Sequence, residues 1–197
     1  LAGPPGKLER VERPKKSELA ALARALRRAK PEAIAICLLH SYADPALEEE
    51  IERALLPLGI PLTLSARILP EHREYERFST AVVNAALQPV VRDYLARLGS
   101  DLAPARLSIL QSCGGTLAAE SAAREPVRVL LSGPAGGVVG AARAAREAGF
   151  QRMVGLDMGG TSTDVAFHGA RHRFLGTARQ IGGCAVAVPA LDIHTIG

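Results

Sequence analysis

Helix-like and strand-like hydrophobic patterns alternate over residues 17–66. A stretch with leucines and alanines at helical spacing follows Ser17, which we expect to cap this helix. The run 33–40 is short and nearly all apolar, as is typical of a strand buried on both faces of a mostly parallel sheet, and 60–65 is predicted to be a second strand. Between them, Asp44 opens an acidic segment that predicts another helix.

The same alternation continues through the middle of the chain. Residues 71–98 carry the longest helical pattern, which Pro89 is expected to kink or to divide in two. Strands are predicted at 107–110 and 127–131, and a short helix is predicted around 117–124. This order of elements predicts an α/β fold.

The last third contains two glycine-rich segments. The first begins at Ser132 and opens a helix that we expect to run to Glu147 and to end at Gly149. The second joins two further predicted strands, 153–157 and 165–167.

Glycines at the start of the predicted 132–147 helix need a physical reason. Gly133, Gly136 and Gly137 each cost about 1 kcal/mol relative to alanine in a helix interior. Close helix packing would offset this cost. A ligand approaching the backbone would also offset it, because the free amides of a helix start bind anions.

The segment from Asp157 to Asp164 has the composition of a phosphate-binding turn. Its two glycines allow backbone N–H groups to converge, three hydroxyl side chains follow them, and the flanking carboxylates suit a hydrated divalent cation. The chain has neither the G-x-x-x-x-G-K-[ST] pattern nor the G-x-G-x-x-G pattern, which excludes a P-loop and a dinucleotide fingerprint.

The net charge of +4 is concentrated at one end. Residues 1–30 carry nine Lys or Arg and three Asp or Glu, so residues 31–197 carry 15 Lys or Arg and 17 Asp or Glu. Much of the excess lies near the end of the first predicted helix, where it complements the helix dipole, and no aromatic residues accompany it. We therefore predict no nucleic-acid partner.

Composition also bears on the compartment. No apolar run approaches the length of about 18 residues that a membrane helix needs, so we expect no membrane partner. The three cysteines (Cys37, Cys113 and Cys184) show no C-x-x-C spacing, and we therefore expect a reducing, cytoplasmic location.

The turn D-x-G-G-T-x-T-D at 157–164 resembles the second phosphate loop of the actin-like ATPases, the superfamily of actin, heat-shock chaperone ATPases and sugar kinases. In those proteins a helix of small residues precedes this loop at a similar distance, as residues 133–148 do here. The resemblance implies an RNase H-like lobe, which closes with a second lobe over Mg-ATP.

Further motifs make the resemblance more specific, to the ATP-dependent hydantoinase/oxoprolinase family, over roughly residues 33–197. They are, in order, HSY and DP near 40–45, LPEHREYERFSTAVVNAALQP, ILQSCGG, PVRVLLSGPAGGVVGA, DMGGTSTDVA and PALDIHTIG. Family members couple ATP hydrolysis to opening of a cyclic amide such as a hydantoin or 5-oxoproline. The resemblance therefore implies an ATP-dependent cyclic amidohydrolase. Its alternatives are the ATP-using subunit of an acetone or acetophenone carboxylase and a non-catalytic nucleotide switch of the actin or chaperone kind.

The family pattern implies roles for particular residues. Asp157 and Asp164 fall at catalytic positions and are expected to orient the water molecules of a Mg²⁺ ion. The residues that fall on the ATP phosphate site are Gly133, Gly136, Gly137, Gly159, Gly160, Thr161, Ser162 and Thr163. Phosphorylation of the amide oxygen would turn a poor electrophile into a good one, which is the chemical use for ATP.

The resemblance also implies a domain organisation. Residues 1–16 are expected to be a linker, 17–66 the end of an N-terminal α/β domain and 67–197 an incomplete ATPase lobe. Family members carry another D-x-G-G-T loop that this sequence lacks, so we expect the chain alone to bind nucleotide weakly. The expected partners are a small cyclic amide, the rest of the parent chain and a hydantoinase B-like subunit.

Three smaller features keep more than one interpretation. Cys113 stands where the family turn usually has Asn, and both a nucleophile and a small turn residue fit there. Asp192 and His194 suit a metal triad or an ordinary polar turn. Residues 171–173 are predicted to form a hairpin tip.

Overall fold

The computed structural model describes residues 13–169 and 179–196 of the chain and confirms the predicted α/β class. Most of the predicted linker and the predicted hairpin tip at 171–173 lie outside the described residues. The described residues fall into two compact units, the first formed by residues 13–90 with 179–187 and the second by the remainder.

The first unit is built around a parallel strand pair. Its elements are α1 (Lys16–Ala29), β1 (Ile34–Ile36), α2 (Ala46–Leu55), β2 (Leu62–Leu64), α3 (Ser65–Ile68), the beginning of α4 (Glu74–Asp101), β7 (Arg179–Ile181) and β8 (Cys184–Val186). β1 and β2 pair in parallel, as predicted, and their buried Ile36 and Leu64 pack with Leu55 of α2. β7 and β8 form an antiparallel hairpin.

Two predictions for this unit are wrong in detail. α1 begins before Ser17, and the residue that precedes the helix is Lys15, whose backbone N–H donates to the Glu18 carboxylate at 2.7 Å. The predicted strand 33–40 is ordered as a strand only over Ile34–Ile36. Beyond it, the backbone groups of Leu38 bond to side chains from other elements instead of a neighbouring strand.

A buried polar network accounts for those bonds. Glu48 and Arg77 are fully buried. The Glu48 carboxylate accepts hydrogen bonds from Leu38 N (3.0 Å), Ser65 Oγ (2.6 Å) and Ala66 N (3.0 Å). The Arg77 guanidinium donates to Leu38 O at 2.9 Å and to Ser65 Oγ at 3.3 Å. The network therefore connects the end of β1 with α2, α3 and α4.

Helix α4 is continuous through Pro89, so the predicted division into two helices does not occur. The helix contributes its residues up to Val90 to the first unit and its later residues to the second.

The second unit contains a three-stranded antiparallel sheet and a glycine-rich helix. Its further elements are β3 (Ser108–Leu110), β4 (Thr116–Ala118), α5 (Ala119–Arg124), α6 (Ser132–Glu147), β5 (Met153–Met158), β6 (Thr163–His168) and β9 (Ile193–Ile196). The sheet order is β5-β6-β9, while β3 and β4 form a separate hairpin. α6 ends at Glu147, as predicted, and Gly149 follows with φ +86°.

Two elements of this unit differ from the prediction. Residues 127–131 are not a strand, because Pro126–Val129 form a short 3₁₀ helix. In it, Val127 is fully buried, and the Arg128 carbonyl accepts from Ser112 N at 2.8 Å. The predicted helix around 117–124 begins only at Ala119, because Thr116–Ala118 pair with β3 as β4.

The two faces of the β5-β6-β9 sheet differ in burial. Ala166 is buried on the face on which α6 lies. The opposite face carries five large apolar side chains that are 64–71% exposed. They are Val154, Leu156, Met158, Phe167 and Ile196. Within residues 13–169 and 179–196, none of the helices combines the length and the hydrophobicity that a membrane span requires.

Candidate functional site

The carboxylates of Asp157 and Asp164 lie on adjacent strands at directly opposed positions. The pairing of β5 with β6 sets Asp157 against Asp164 and Met158 against Thr163. Beyond these pairs, Gly159 N–H donates to Ser162 O at 2.9 Å, which leaves Gly160 and Thr161 at the tip of the hairpin. Directly opposed residues have Cα atoms about 4.5–5.5 Å apart, so one hydrated cation can reach both carboxylates.

A third residue extends this row across the sheet. The pairing of β6 with β9 sets Asp164 directly against Thr195. The Thr195 hydroxyl donates a hydrogen bond of 2.6 Å to Oδ1 of Asp164. Asp157, Asp164 and Thr195 therefore form one row on one face of three strands.

Helix α6 brings its glycine-rich beginning to the same face. A Cβ atom added to Gly137 would lie 3.9 Å from Oδ2 of Asp157. Because glycine has no side chain, the helix backbone lies close to the carboxylate here. The sequence predicted that both glycine-rich segments contribute to one phosphate site, and the short distance between Gly137 and Asp157 is consistent with that prediction.

Packing explains one of the α6 glycines. A Cβ on Gly136 would lie 3.1 Å from Leu110 Cδ2, closer than an ordinary van der Waals contact, so Gly136 allows β3 to pack against the helix. Gly133 is different, because a Cβ there would meet no described atom within 4 Å. Gly133 lies in the first turn, where backbone N–H groups lack intrahelical acceptors.

The loop glycines are also free of folding constraints. Neither Gly159 nor Gly160 adopts the left-handed conformation that favours glycine. A Cβ on Gly160 would meet no described atom within 4 Å, and one on Gly159 would make an ordinary contact of 3.6 Å with Ser162 O. Neither packing nor backbone conformation therefore requires glycine at these positions, and the loop backbone is accessible to a bound group.

The turn between β3 and β4 holds α6 in place. Ser112 is buried, and its Oγ accepts from Leu131 N, at the beginning of α6, at 3.0 Å. Its carbonyl accepts from Leu191 N at 2.8 Å. Gly114 adopts φ +86° and approaches Val139 of α6 so closely that a Cβ would lie 3.0 Å from Cγ2. The Q-S-C-G-G turn therefore supports the helix that carries the candidate phosphate-binding backbone.

The other candidate residues, Cys113, Asp192 and His194, lie outside the row formed by Asp157, Asp164 and Thr195. Cys113 is a half-buried free thiol in the supporting turn, and its role as a nucleophile stays a prediction. His194 and Asp192 form an exposed pair with Nε2 and Oδ1 3.6 Å apart. Residues 13–169 and 179–196 contain no group of three His, Cys, Asp or Glu side chains suited to a metal ion, so the alternative of a metal triad finds no third ligand there.

Sequence reasoning missed Thr195 and Ser112. Thr195 is 31 residues from Asp164 along the chain, and only the pairing of β9 brings the two together. The Q-S-C-G-G motif drew attention to Cys113, whereas the buried hydrogen bonds are made by the neighbouring Ser112.

The residues present fit ATP and Mg²⁺. The donor set of two opposed carboxylates suits Mg²⁺, which binds proteins through one or two carboxylates and keeps several waters. A Cβ on Gly133 or Gly160 would meet no described atom within 4 Å, so the backbone at both glycines is open to a bound phosphate. Backbone amides of this kind hold phosphate oxygens.

Three comparisons relate the chain to known proteins. It is 38% identical to 5-oxoprolinase 1 of Arabidopsis thaliana over 83% of this chain and 13% of that protein. It is 27% identical to the acetone carboxylase beta subunit of Xanthobacter autotrophicus over 89% of this chain and 26% of that protein. The crystal structure of the ATP-dependent caprolactamase of Pseudomonas jessenii superposes with a TM-score of 0.79 and 27% identity, covering 92% of this chain and 27% of that one.

The chain thus spans a small part of the length of these relatives. The sequence model of one family, described as hydantoinase/oxoprolinase, matches residues 77–197, which include the whole candidate site. With more than half of its length matched by that model, the chain belongs to the hydantoinase/oxoprolinase family.

Proposed function

We propose that this chain forms part of an ATP-dependent hydrolase that opens cyclic amides of the hydantoin or 5-oxoproline type. The observation that carries the proposal is the opposed pair Asp157 and Asp164 beside the uncovered glycine backbone of the hairpin and of α6. Family membership and the names of the 5-oxoprolinase and caprolactamase relatives support the choice of reaction.

Two sets of residues have different roles, one in binding the phosphates of ATP and the other in orienting Mg²⁺. We assign to the backbone at Gly133, Gly136, Gly137, Gly159 and Gly160, with the hydroxyls of Thr161 and Ser162, the binding of phosphate oxygens. Thr163, which the sequence also placed in this set, is directly opposite Met158 and Ile196, so its side chain lies on the other face of the sheet from Asp157 and Asp164. Asp157 and Asp164 hold and orient the water shell of Mg²⁺. Bound Mg-ATP supplies the phosphoryl group that activates the amide oxygen. Fixed amide dipoles and carboxylates at such a site lower the barrier because they need no reorientation during the reaction.

We also propose that the chain acts together with the remainder of its parent protein and with a magnesium ion. The five exposed apolar residues on the outer face of the β5-β6-β9 sheet support contact with the remainder of the parent protein, because exposed apolar surface of this kind marks a protein contact site. The acetone carboxylase relative is named as a beta subunit, which supports a second subunit for this protein as well, and we propose a hydantoinase B-like one. The three free thiols support a reducing, cytoplasmic location.

A second candidate is the ATP-using subunit of an acetone or acetophenone carboxylase, which the acetone carboxylase relative favours. Both reactions use ATP to activate a carbonyl compound, so the same phosphate site serves either. A nucleotide switch of the actin or chaperone kind needs the phosphate site without a substrate.

Product analysis separates these functions. The natural full-length protein, with its second subunit where one is required, is incubated with Mg-ATP and one of hydantoin, 5-oxoproline, caprolactam or acetone plus bicarbonate. Ring-opened acid formed together with ADP supports the hydrolase. Acetoacetate from acetone supports the carboxylase, and ATP hydrolysis that no substrate stimulates supports the switch.

A further inference from the structure

We propose that Thr195 is a positioning residue for Asp164, which it orients toward the cation of bound Mg-nucleotide. This inference rests on the proposed function, since it assigns Thr195 a role at the same nucleotide site. It starts from the hydrogen bond of 2.6 Å from Thr195 Oγ1 to Asp164 Oδ1.

The strand pairing restricts what this bond can do. Thr195 is directly opposite Asp164, so its hydroxyl approaches the carboxylate from the side away from Asp157. A carboxylate has two oxygens and about four acceptor positions. The hydroxyl engages Oδ1, and Oδ2 stays available for a water of the Mg²⁺ shell.

The location makes a purely structural role a poor explanation. Thr195 is exposed, and its hydrogen bond lies at the surface of the sheet. Exposed polar pairs contribute little to folding, because water competes for both partners. A fixed carboxylate rotamer matters more at a cation site, where ligand direction decides affinity.

The effect of the hydroxyl can be isolated by two substitutions. Thr195→Val keeps the β-branched shape and removes the donor, whereas Thr195→Ser keeps the donor. Thr116→Val serves as the matched control, because Thr116 is an exposed threonine on β4, outside the candidate site. Each variant is made in the natural full-length protein, together with the wild type.

Two readouts are measured. The first is the Kd for Mn²⁺ in the presence of ADP, from electron paramagnetic resonance of free Mn²⁺. The second is the rise in Tm that Mg-ADP produces, which reports binding without catalysis. We expect Thr195→Val to raise the Mn²⁺ Kd about tenfold and to reduce the rise in Tm, whereas Thr195→Ser and Thr116→Val stay within about twofold of the wild type.

The outcomes separate the two proposals. If the wild type neither binds Mn-ADP nor gains Tm from Mg-ADP, the proposed function fails at this site. If the wild type binds and Thr195→Val binds equally well, the role of Thr195 is refuted while the function stands. Equal losses in the Val and Ser variants, with a lower Tm in the absence of nucleotide, would also refute it, because they would indicate a packing role.

Discussion

Asp157 and Asp164 occupy directly opposed positions on β5 and β6, so the fold holds two carboxylates side by side. Like charges placed directly across an antiparallel pair are destabilising. Thr195 donates to one of them, and the backbone of α6 at Gly137 lies close to the other. An arrangement that costs stability and lies beside open backbone is consistent with selection for binding a cation.

Replacing Asp157 with Asn should separate stability from activity. We expect Asp157→Asn to lower ATP hydrolysis by the natural full-length protein about 100-fold or more, since it removes a charge placed for the reaction. Without ligand, the same change should raise the free energy of unfolding by about 0.2–1 kcal/mol, because a like-charge pair is lost. Steady-state ATPase assays and urea titration measure the two effects.

Asp93→Asn is the control for this variant, because Asp93 is exposed on α4 and pairs only at the surface with Arg92. We expect it to leave ATP hydrolysis unchanged. Activity of Asp157→Asn within threefold of the wild type would contradict the assignment of this carboxylate.

Two glycines of α6 provide a matched test of the phosphate cradle. A Cβ on Gly133 or on Gly140 would meet no described atom within 4 Å, so alanine fits at both positions. Alanine should stabilise the helix by up to about 1 kcal/mol at Gly140 and by less at Gly133, which is in the first turn. Only Gly133→Ala should weaken Mg-ADP binding, by about tenfold, because its methyl group occupies the space assigned to phosphate. Isothermal titration of both variants decides the point, and equal affinities would argue against the cradle.

The candidate site could be predicted from the sequence largely because its chemistry is local. Asp157, the two loop glycines and Asp164 lie within eight consecutive residues, so the turn itself sets the carboxylates against each other. The start of α6 was predictable for the same reason, since Ser132 and the glycines that follow form one segment.

The two wrongly predicted strand segments lie where groups distant in the sequence bond to backbone that was expected to pair in a strand. Leu38 lies outside β1 because the side chains of Glu48 and Arg77 bond its backbone. Arg128 lies in a 3₁₀ helix, and its carbonyl accepts a hydrogen bond from the backbone N–H of Ser112. Local hydrophobic pattern contains no information about such partners. The hydrogen bond of Thr195 to Asp164 could not be predicted for the same reason, because β9 pairs with a strand about 30 residues earlier.

The buried Glu48 should be essential for the stability of the first unit. Its carboxylate accepts three hydrogen bonds, and Gln replaces one accepting oxygen with a donating amide. We expect Glu48→Gln to lower the free energy of unfolding by about 2 kcal/mol, because at least one buried donor loses its acceptor. Urea titration at pH 7 measures the loss.

Glu52→Gln is the matched control on the same helix. Glu52 forms a bidentate ion pair with Arg67 at 2.8 and 2.9 Å, and the Arg67 side chain is 53% exposed. Surface pairs of this kind are worth about 0–1 kcal/mol. A larger loss for Glu52→Gln than for Glu48→Gln would contradict the importance of the buried network.

Cys37 should make stability fall with rising pH in the alkaline range. Burial, reinforced by the Glu48 carboxylate and opposed by Arg77, raises the pKa of this thiol from 9.0 to about 11. Between these values the unfolded chain loses the proton that the folded chain keeps, so the unfolded state binds fewer protons and stability decreases as pH rises. Below pH 9 the stabilisation is fully present.

Urea titrations at pH 8.5 and 10.5 test this linkage in the wild type and in Cys37→Ala. We expect the wild type to lose more stability than the variant between the two pH values, because the variant lacks the titrating thiol. Labelling at pH 8 gives a second measurement, since only the thiolate reacts. Exposed Cys184 should react in the folded protein and Cys37 only after urea is added. Equal rates for both thiols in the folded state would show that Cys37 is not protected in this way.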